Sequence, residues 1–420
     1  MIKEIIIVGG GFGGVRVAKK LAKSNNDIHI TLIDKSHYHT FYSDLYEVAT
    51  ANLAETVAHV PNEFYELKST SAYPLENIFS NNLNVTVLYD EVVGINFQKN
   101  EVLLKSEVTK RYDYLVLGAG SETNYYNISG LYECVFPLKS LWDAMSIRNA
   151  IDEVFFNAAK KSTITIVIGG GGFTGCEFAG ELCYFVRQLA KQHGHSLDAI
   201  GVVMIEGSTS LLSGLDAWVQ KKTRKRLESI GLKVMVNSII KSIEDQTIIL
   251  DDESKIPFDI LIWTAGVRAN KLTSGISGPK LEKVSCVVVD KSLRISPFDN
   301  VFGVGDMTYC VDEVTGRPMP MTAMTALGQA NIVAKNIKNA ISKKPLKTYR
   351  PSHLGFIIPL GGKFGIIESH GFHISGIIPW IAKRLVAIHY WSGIIGFKKA
   401  ILLSKNGIKI FIRNDKRINS

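Results

Sequence analysis

Two hexapeptides, Gly9-Gly10-Gly11-Phe12-Gly13-Gly14 and Gly170-Gly171-Gly172-Phe173-Thr174-Gly175, each stand between an apolar run and an amphipathic one. Both carry the spacing G-x-G-x-x-G, as Gly9, Gly11 and Gly14 and again as Gly170, Gly172 and Gly175. Glycine at those places lets the backbone turn sharply off a strand. It also lets a pyrophosphate reach main-chain N–H groups without meeting a Cβ. The helix beyond offers unpaired amides and the positive end of its dipole. In both copies the next apolar run ends on an acid, 28–33 at Asp34 and 200–205 at Glu206. A carboxylate there accepts hydrogen bonds from the ribose of an adenine dinucleotide.

Two strand–turn–helix–strand–acid units in one chain amount to an internal duplication. The runs 5–8, 28–33 and 112–117 read as strands around a helix at 15–23, the last ending in Gly118-Ala119-Gly120. The runs 163–168, 200–205 and 260–263 repeat the pattern around a helix at 176–191 and end in Thr264-Ala265-Gly266. Hairpin-like pieces at 85–88 and 102–105 lie between. A length of 420 residues suggests two or three domains, and 46% hydrophobic with 21% charged residues argues against disorder. The expected class is therefore α/β, built from two Rossmann-type dinucleotide-binding domains. The simplest occupancy is one tightly held flavin dinucleotide and one exchangeable nicotinamide dinucleotide. Glu206 would repel a 2′-phosphate, which favours NADH over NADPH. A third element, Gly303-Val304-Gly305-Asp306, closes a strand at 300–304 before a helix at 322–341. There Asp306 can hydrogen-bond a flavin's ribityl chain or a pyrophosphate-bound water.

The five cysteines are odd in number and form no C-x-x-C pair, so they read as reduced and structural, with no metal site. Met1-Ile2-Lys3-Glu4 leads directly into the first strand, and no leader peptide is expected. No uninterrupted apolar run reaches the roughly 18 residues a spanning helix needs. The net charge of +9 is concentrated late: residues 371–420 hold nine basic side chains against Asp415 alone, leaving the rest near neutral. Such a tail suits anionic lipid or nucleic acid, and no nucleic-acid recognition motif accompanies it. Within 377–391, Ile377, Ile378, Ile381, Leu385 and Ile388 form a helical stripe flanked by Lys383, Arg384, His389, Trp380, Tyr390 and Trp391. Pro379 suits the first turn of that helix. The expectation is a helix lying in the headgroup plane, followed by a second piece at 394–403 with Lys398 and Lys399. The competing use is packing within the chain or across a homodimer.

In the order and character of its motifs the chain resembles the two-dinucleotide-binding flavoproteins, and among them the type II NADH dehydrogenases. The resemblance runs through IIIVGGGFGG at 5–14, HYHTFYSDLYEVAT at 37–50, YDYLVLGAGS at 112–121 and IVIGGGGFTGCEFAGEL at 166–182. It continues through WTAGVRAN at 263–270, VFGVGDM at 301–307 and TALGQA at 325–330. It implies a glutathione-reductase-like arrangement: an FAD-binding domain at 1–120 and 268–345, an NADH-binding domain at 121–267, and a membrane-surface, quinone-access region at 346–420. Gly9, Gly11, Phe12, Gly14, Asp34, Lys35, Val92, Ala119, Gly120 and Asp306 would hold FAD. Gly170, Gly172, Thr174, Gly175, Glu206, Ala265 and Gly266 would hold NADH. Glu177 would lie near nicotinamide and flavin, orienting the one and tuning proton delivery. The family's A-Q-x-A-x-Q pattern reads here Ala323-Met324-Thr325-Ala326-Leu327-Gly328, so both glutamines are replaced, and the nearest amide, Gln329, is with Glu177 a candidate catalytic residue.

The activity so implied is a non-pumping NADH:quinone oxidoreductase on the cytoplasmic face of the cell membrane. Hydride goes from NADH to FAD, and two electrons go on to a membrane quinone. A soluble NADH oxidase or ferredoxin reductase remains open, and the missing glutamines favour it. A sulfide:quinone oxidoreductase needs paired redox cysteines, one late in the chain, and none follows Cys310. A non-catalytic redox sensor would keep both nucleotide sites and turn over negligibly.

Overall fold

The computed structural model describes residues 2–23, 27–51, 71–159 and 162–416. Arg417 of the basic tail lies outside the described residues, as do the side chains of Asn406 and of 409–416. The first half contributes β1 (Lys3–Val8), α1 (Phe12–Ala22), β2 (Ile28–Asp34), α2 (Leu45–Ala49), β3 (Val85–Tyr89), β4 (Tyr114–Leu117), β5 (Val135–Pro137), α3 (Leu141–Asn157), β6 (Ile164–Gly169) and α4 (Phe173–His193). The second half adds β7 (Ile200–Ile205), α5 (Ala217–Ser229), β8 (Leu232–Met235), β9 (Ile260–Trp263), β10 (Val301–Gly303) and α6 (Ala323–Ile341). The last elements are β11 (Phe356–Pro359), β12 (Gly365–Ser369), β13 (Phe372–Gly376), α7 (Ile377–Ile395) and α8 (Phe397–Lys416).

Two compact units result. The first comprises Met1–Thr40, Ala72–Glu122 and Val267–His353. Its five-stranded sheet has the order β10-β4-β1-β2-β3, every pair parallel. Parallel strands buried on both faces need continuous apolar runs, and Ile5–Val8 of β1 is such a run, wholly buried.

The second unit comprises Phe41–Ser71, Thr123–Gly266 and Leu354–Ser420. Its sheet, β5-β9-β6-β7-β8, is again all parallel. Both sheets share one four-strand core, β4-β1-β2-β3 and β9-β6-β7-β8, so the duplication read from the motifs is also one of topology. The outermost strand differs: β10 enters last in one sheet, and β5 first in the other. From Leu354 on, the tail set off by its charge packs in this second unit, as the antiparallel sheet β11-β12-β13 followed by α7 and α8. Arg226 of α5 clamps the β11–β12 loop, donating to the carbonyls of Leu360 at 3.2 Å and Gly361 at 2.7 Å and to Tyr184 Oη at 2.9 Å.

Helices α1 and α4 begin three residues before the positions that the periodicity suggests. Gly13 and Gly14 lie in the first helical turn rather than in the loop, because the helix closes directly onto the strand end. A Cβ on Gly14 would strike the Gly9 carbonyl, and one on Gly175 the Gly170 carbonyl. Gly180 marks another close approach, where a Cβ would lie 2.6 Å from the Gly361 nitrogen in the β11–β12 loop. Gly180→Ala should therefore lower unfolding free energy by about 1–3 kcal/mol, through overpacking against backbone that cannot yield locally. Urea denaturation measures it, and an unchanged midpoint contradicts the packing.

Candidate active site

In the first unit, β1 runs into Gly9, whose φ of +104° suits glycine alone. Asp34, at the end of the neighbouring strand, receives the Gly10 N–H at 2.5 Å on one oxygen and the Ser36 N–H at 2.6 Å on the other. Burial raises its pKa, opposed by these two N–H groups and by Lys35. Gly10 is held from its other side too: His39 Nδ1 lies 2.8 Å from the Gly10 carbonyl. Burial lowers the His39 pKa to about 4, against that bond, so the ring is neutral and donates to the carbonyl. Phe12 packs edge-on to His39. Nothing stands within 4 Å of a Cβ on Gly11. Helix α1 has neither a capping side chain nor an acid in its first turn. Its terminal amides are thus available to an outside anion, and the charge of a dinucleotide pyrophosphate suits them.

The second unit builds the same cradle. Gly170 also has φ +104°. Glu206 receives the Gly171 N–H at 2.6 Å and the Ser208 N–H at 2.7 Å. Gly172 is open, and α4 likewise lacks a cap and a first-turn acid. Thr264 Oγ1 bonds the Gly169 and Gly170 carbonyls at 2.9 and 3.0 Å, which seats Ala265 against Gly170. Gly266, with φ +129°, backs onto Tyr126. Thr174 is exposed at the mouth, and so is Phe173, whereas its counterpart Phe12 is buried.

Of the remaining first-unit residues, Lys35 is exposed beside Asp34 and Gly120 is open with φ +73°. Ala119 is stacked under Gly9. Val92 is buried on a small antiparallel sheet opposite Leu104, so only its backbone can face a ligand. The Gly305-Asp306 turn is fixed from two sides: Ser121 Oγ donates to Asp306 Oδ2 at 2.6 Å, and the Gly305 N–H donates to Gln329 Oε1 at 2.7 Å. Gln329 is buried and committed to that turn, a positioning duty that its place in the motif did not reveal. Helix α6 is capped by Thr322, and Met324 is exposed at its start. At Gly328 the hydroxyl of Tyr349 lies 3.2 Å from where a Cβ would be. The tyrosine ring therefore crowds the place of the second expected glutamine.

Sequence reasoning missed a charge cluster in the second unit. Glu177, in the second turn of α4, is buried and meets Lys383 Nζ of α7 at 3.3 Å. Next to it, both Nη atoms of Arg384 bond Glu47 of α2, at 2.7 and 2.8 Å. Burial raises the Glu177 pKa, and Lys383 opposes the rise. For Lys383 burial works against the charge, but Glu177, Asp44 and Glu47 outweigh it and the pKa rises. Lys383 and Arg384 therefore point inward, a correction to the expectation that they flank the stripe toward lipid. Trp391 is likewise core, 6.0 Å from the Phe41 ring. What α7 turns outward is mostly apolar: Ile377, Ile378, Ile381, Leu385 and Val386 are exposed, as is His389, with Phe397 and Leu402 on α8. Lys398, Lys399 and Lys405 are exposed beside them. No described helix is long and apolar enough to cross a membrane.

The fold and the paired cradles define a class, and the comparisons agree with it. The chain belongs to the pyridine nucleotide-disulphide oxidoreductase family, whose model matches residues 3–330. The narrower resemblance read from the motifs is borne out by a curated relative, the type II NADH:quinone oxidoreductase of Haemophilus influenzae. The two are 27% identical over 390 residues, covering 86% of this chain and 85% of that one. In fold the chain is similar to NDH2 from Plasmodium falciparum, solved in complex with NADH, with TM-score 0.84, 17% identity and 98% of each chain covered. It is also similar to the sulfide:quinone oxidoreductase of Aquifex aeolicus, with TM-score 0.76, 18% identity, and 94% and 92% of the two chains covered.

Because Gly172 is open, Gly172→Ala should leave the fold intact, within about 0.5 kcal/mol, while placing a methyl where phosphate approaches. NADH binding should weaken at least roughly tenfold, read by fluorescence titration. Unaltered affinity would remove this turn from the nucleotide site.

Proposed function

We propose that the chain is a membrane-surface NADH:quinone oxidoreductase of type II, on the cytoplasmic face of the cell membrane. The observation that carries this reading is the pair of uncapped, glycine-opened helix termini in separate units, each beside a strand-end acid. Two cradles on one chain suit a resident and an exchanging dinucleotide. FAD, in the first, would supply a two-electron relay between nicotinamide and quinone. Gly9, Gly11, Gly14, Asp34 and Asp306 hold it, with Phe12, Lys35, Val92, Ala119 and Gly120 around them. Gly170, Gly172, Gly175 and Glu206 hold NADH, with Thr174, Ala265 and Gly266. The carboxylate of Glu206 accepts from the ribose hydroxyls and repels a 2′-phosphate. Glu177 orients the nicotinamide, and Gln329 fixes the Asp306 turn.

The outward apolar face of α7 and α8, with Lys398, Lys399 and Lys405, suits insertion to headgroup depth in an anionic bilayer. A lipid-soluble acceptor is reached there. Sulfide chemistry finds no support in the thiols: burial, with Asp306 nearby, raises the Cys286 pKa to about 11, and burial with Asp312 does the same for Cys310. Neither is a thiolate at neutral pH. One observation favours a different acceptor, namely the replacement of both glutamines and the crowding of Gly328 by Tyr349.

NADH consumption by FAD-loaded protein with a soluble quinone analogue, with and without anionic liposomes, tests the proposal. Quinone-dependent turnover raised by liposomes is expected. Absence of quinone turnover overturns the acceptor and leaves oxygen or a small redox protein. Glu206→Ala should reduce the preference for NADH over NADPH in kcat/KM at least roughly tenfold, a change of about 1.4 kcal/mol. Unchanged selectivity would show that this acid does not read the ribose.

A further inference from the structure

The mechanism uses Glu177, but the cluster around it holds more charge than one ion pair. Asp44, just before α2, is buried. Among the described residues its charged and titratable neighbours are Tyr46 and Glu47 on α2, Glu177 on α4, and Lys383 and Arg384 on α7. Among the described residues, three carboxylates thus face two cations in a largely buried cluster whose paired side chains are only 11–14% exposed, leaving one negative charge without a counterpart. Arg384 is taken up by both oxygens of Glu47, and Lys383 by Glu177. Asp44 is the carboxylate with no cation of its own, and no hydrogen bond to its side chain is formed among the described residues. A buried carboxylate in that position is stabilised by keeping its proton.

Beside it lies a small cavity of about 20 Å³, whose lining includes Asp44, Glu47, Arg384 and Ser404. That is room for one water. Ser404 Oγ is buried and has no hydrogen-bond partner among the described residues, so this slot offers a water the polar contacts it needs.

We propose that Asp44 is a proton-holding residue of the reaction, supplied through the Ser404 slot and passing its proton to the Glu177–Lys383 pair. This rests on the quinone reading above. Oxidation of NADH by a quinone consumes one proton from solution besides the hydride: NADH, H⁺ and quinone give NAD⁺ and quinol. Both electrons come from NADH. The O–H bond of Asp44 breaks, and Glu177 receives the proton for the acceptor. The slot water then reprotonates Asp44 and is itself recharged from solvent. Asp44 acts through Glu177, so its part is one of supply and positioning. Burial first, then Glu47, pushes its pKa to about 7 despite Lys383 and Arg384, so the proton is held and released at physiological pH.

The test is Asp44→Asn in the full-length, FAD-loaded protein, since the amide keeps the shape of the neutral acid and exchanges no proton. NADH should reduce the flavin of this variant at the wild-type rate. Reoxidation by a soluble quinone should be at least tenfold slower near pH 7 and should lose a pH inflection there. Ser404→Ala should slow reoxidation less and keep the inflection. The second readout is stability. A carboxyl whose pKa is higher in the folded state contributes fully below its unfolded value, and that contribution is lost as pH rises through about 7. Wild-type Tm should therefore fall more than that of Asp44→Asn between pH 5 and 8. Equal pH profiles of both reoxidation and Tm in the two proteins would overturn the proposal. If wild-type protein reoxidises with no quinone at all, the quinone reading fails instead, and the Tm comparison still decides whether Asp44 holds a proton.

Discussion

The structure depends on one hydrogen-bonded arrangement made twice: a strand-end carboxylate that takes the N–H of the glycine two positions beyond the neighbouring strand. Asp34 holds Gly10 and Glu206 holds Gly171, each with its second oxygen on the backbone two residues further on. Charge-assisted bonds to backbone amides are strong for their kind. They fix the turn, and the turn fixes where the helix begins. Because the helix closes onto the strand end with no side chain between, its terminal amides emerge at one spot, uncapped. The ligand-binding chemistry follows from that closure. A methyl at Gly14 or Gly175 would prevent it.

A second constraint concerns α7, which is turned inside out relative to a helix on a water-facing surface. Its cations are inward on Glu177 and Glu47, and Ile377, Ile378, Ile381 and Leu385 are outward. Buried ion pairs of this kind add little net stability, since desolvation offsets attraction, but removing one partner costs about 3–5 kcal/mol. Their effect is to set the rotation of the helix. With Lys383 and Arg384 fixed on carboxylates of α4 and α2, the apolar stripe has only one direction left, away from the unit. The interactions that order the charge cluster thereby orient the face we assign to lipid.

Much of this was legible in the chain itself. The two glycine turns and their acids follow from local spacing, because each is made by residues a strand or helix apart; the Gly305-Asp306 turn is marked by its motif, although Ser121, 185 positions away, helps fix it. The apolar stripe of α7 was equally plain from its period. What it packs against was not, since Glu47 and Glu177 lie hundreds of positions from Lys383 and Arg384, and no helical period reports a tertiary partner. The two cations therefore read as lipid-facing, whereas they turn inward onto Glu177 and Glu47. Gln329 and Gly328 show the same limit. The motif marks their register, while the duty of Gln329 at Gly305 and the presence of Tyr349 against Gly328 depend on loops either side of α6 that its helical period does not report. The helix starts were misplaced for a subtler reason, that glycine, a poor helix former, is required in the first turn by the close approach.

The central claim is that two cradles of like construction serve a resident flavin and an exchanging NADH. An anaerobic titration of FAD-loaded protein with NADH, followed by flavin absorbance, tests it most directly. The account predicts that about one equivalent of NADH bleaches the flavin, as a two-electron transfer between two bound dinucleotides requires. A flavin that binds yet stays oxidised under excess NADH would contradict it.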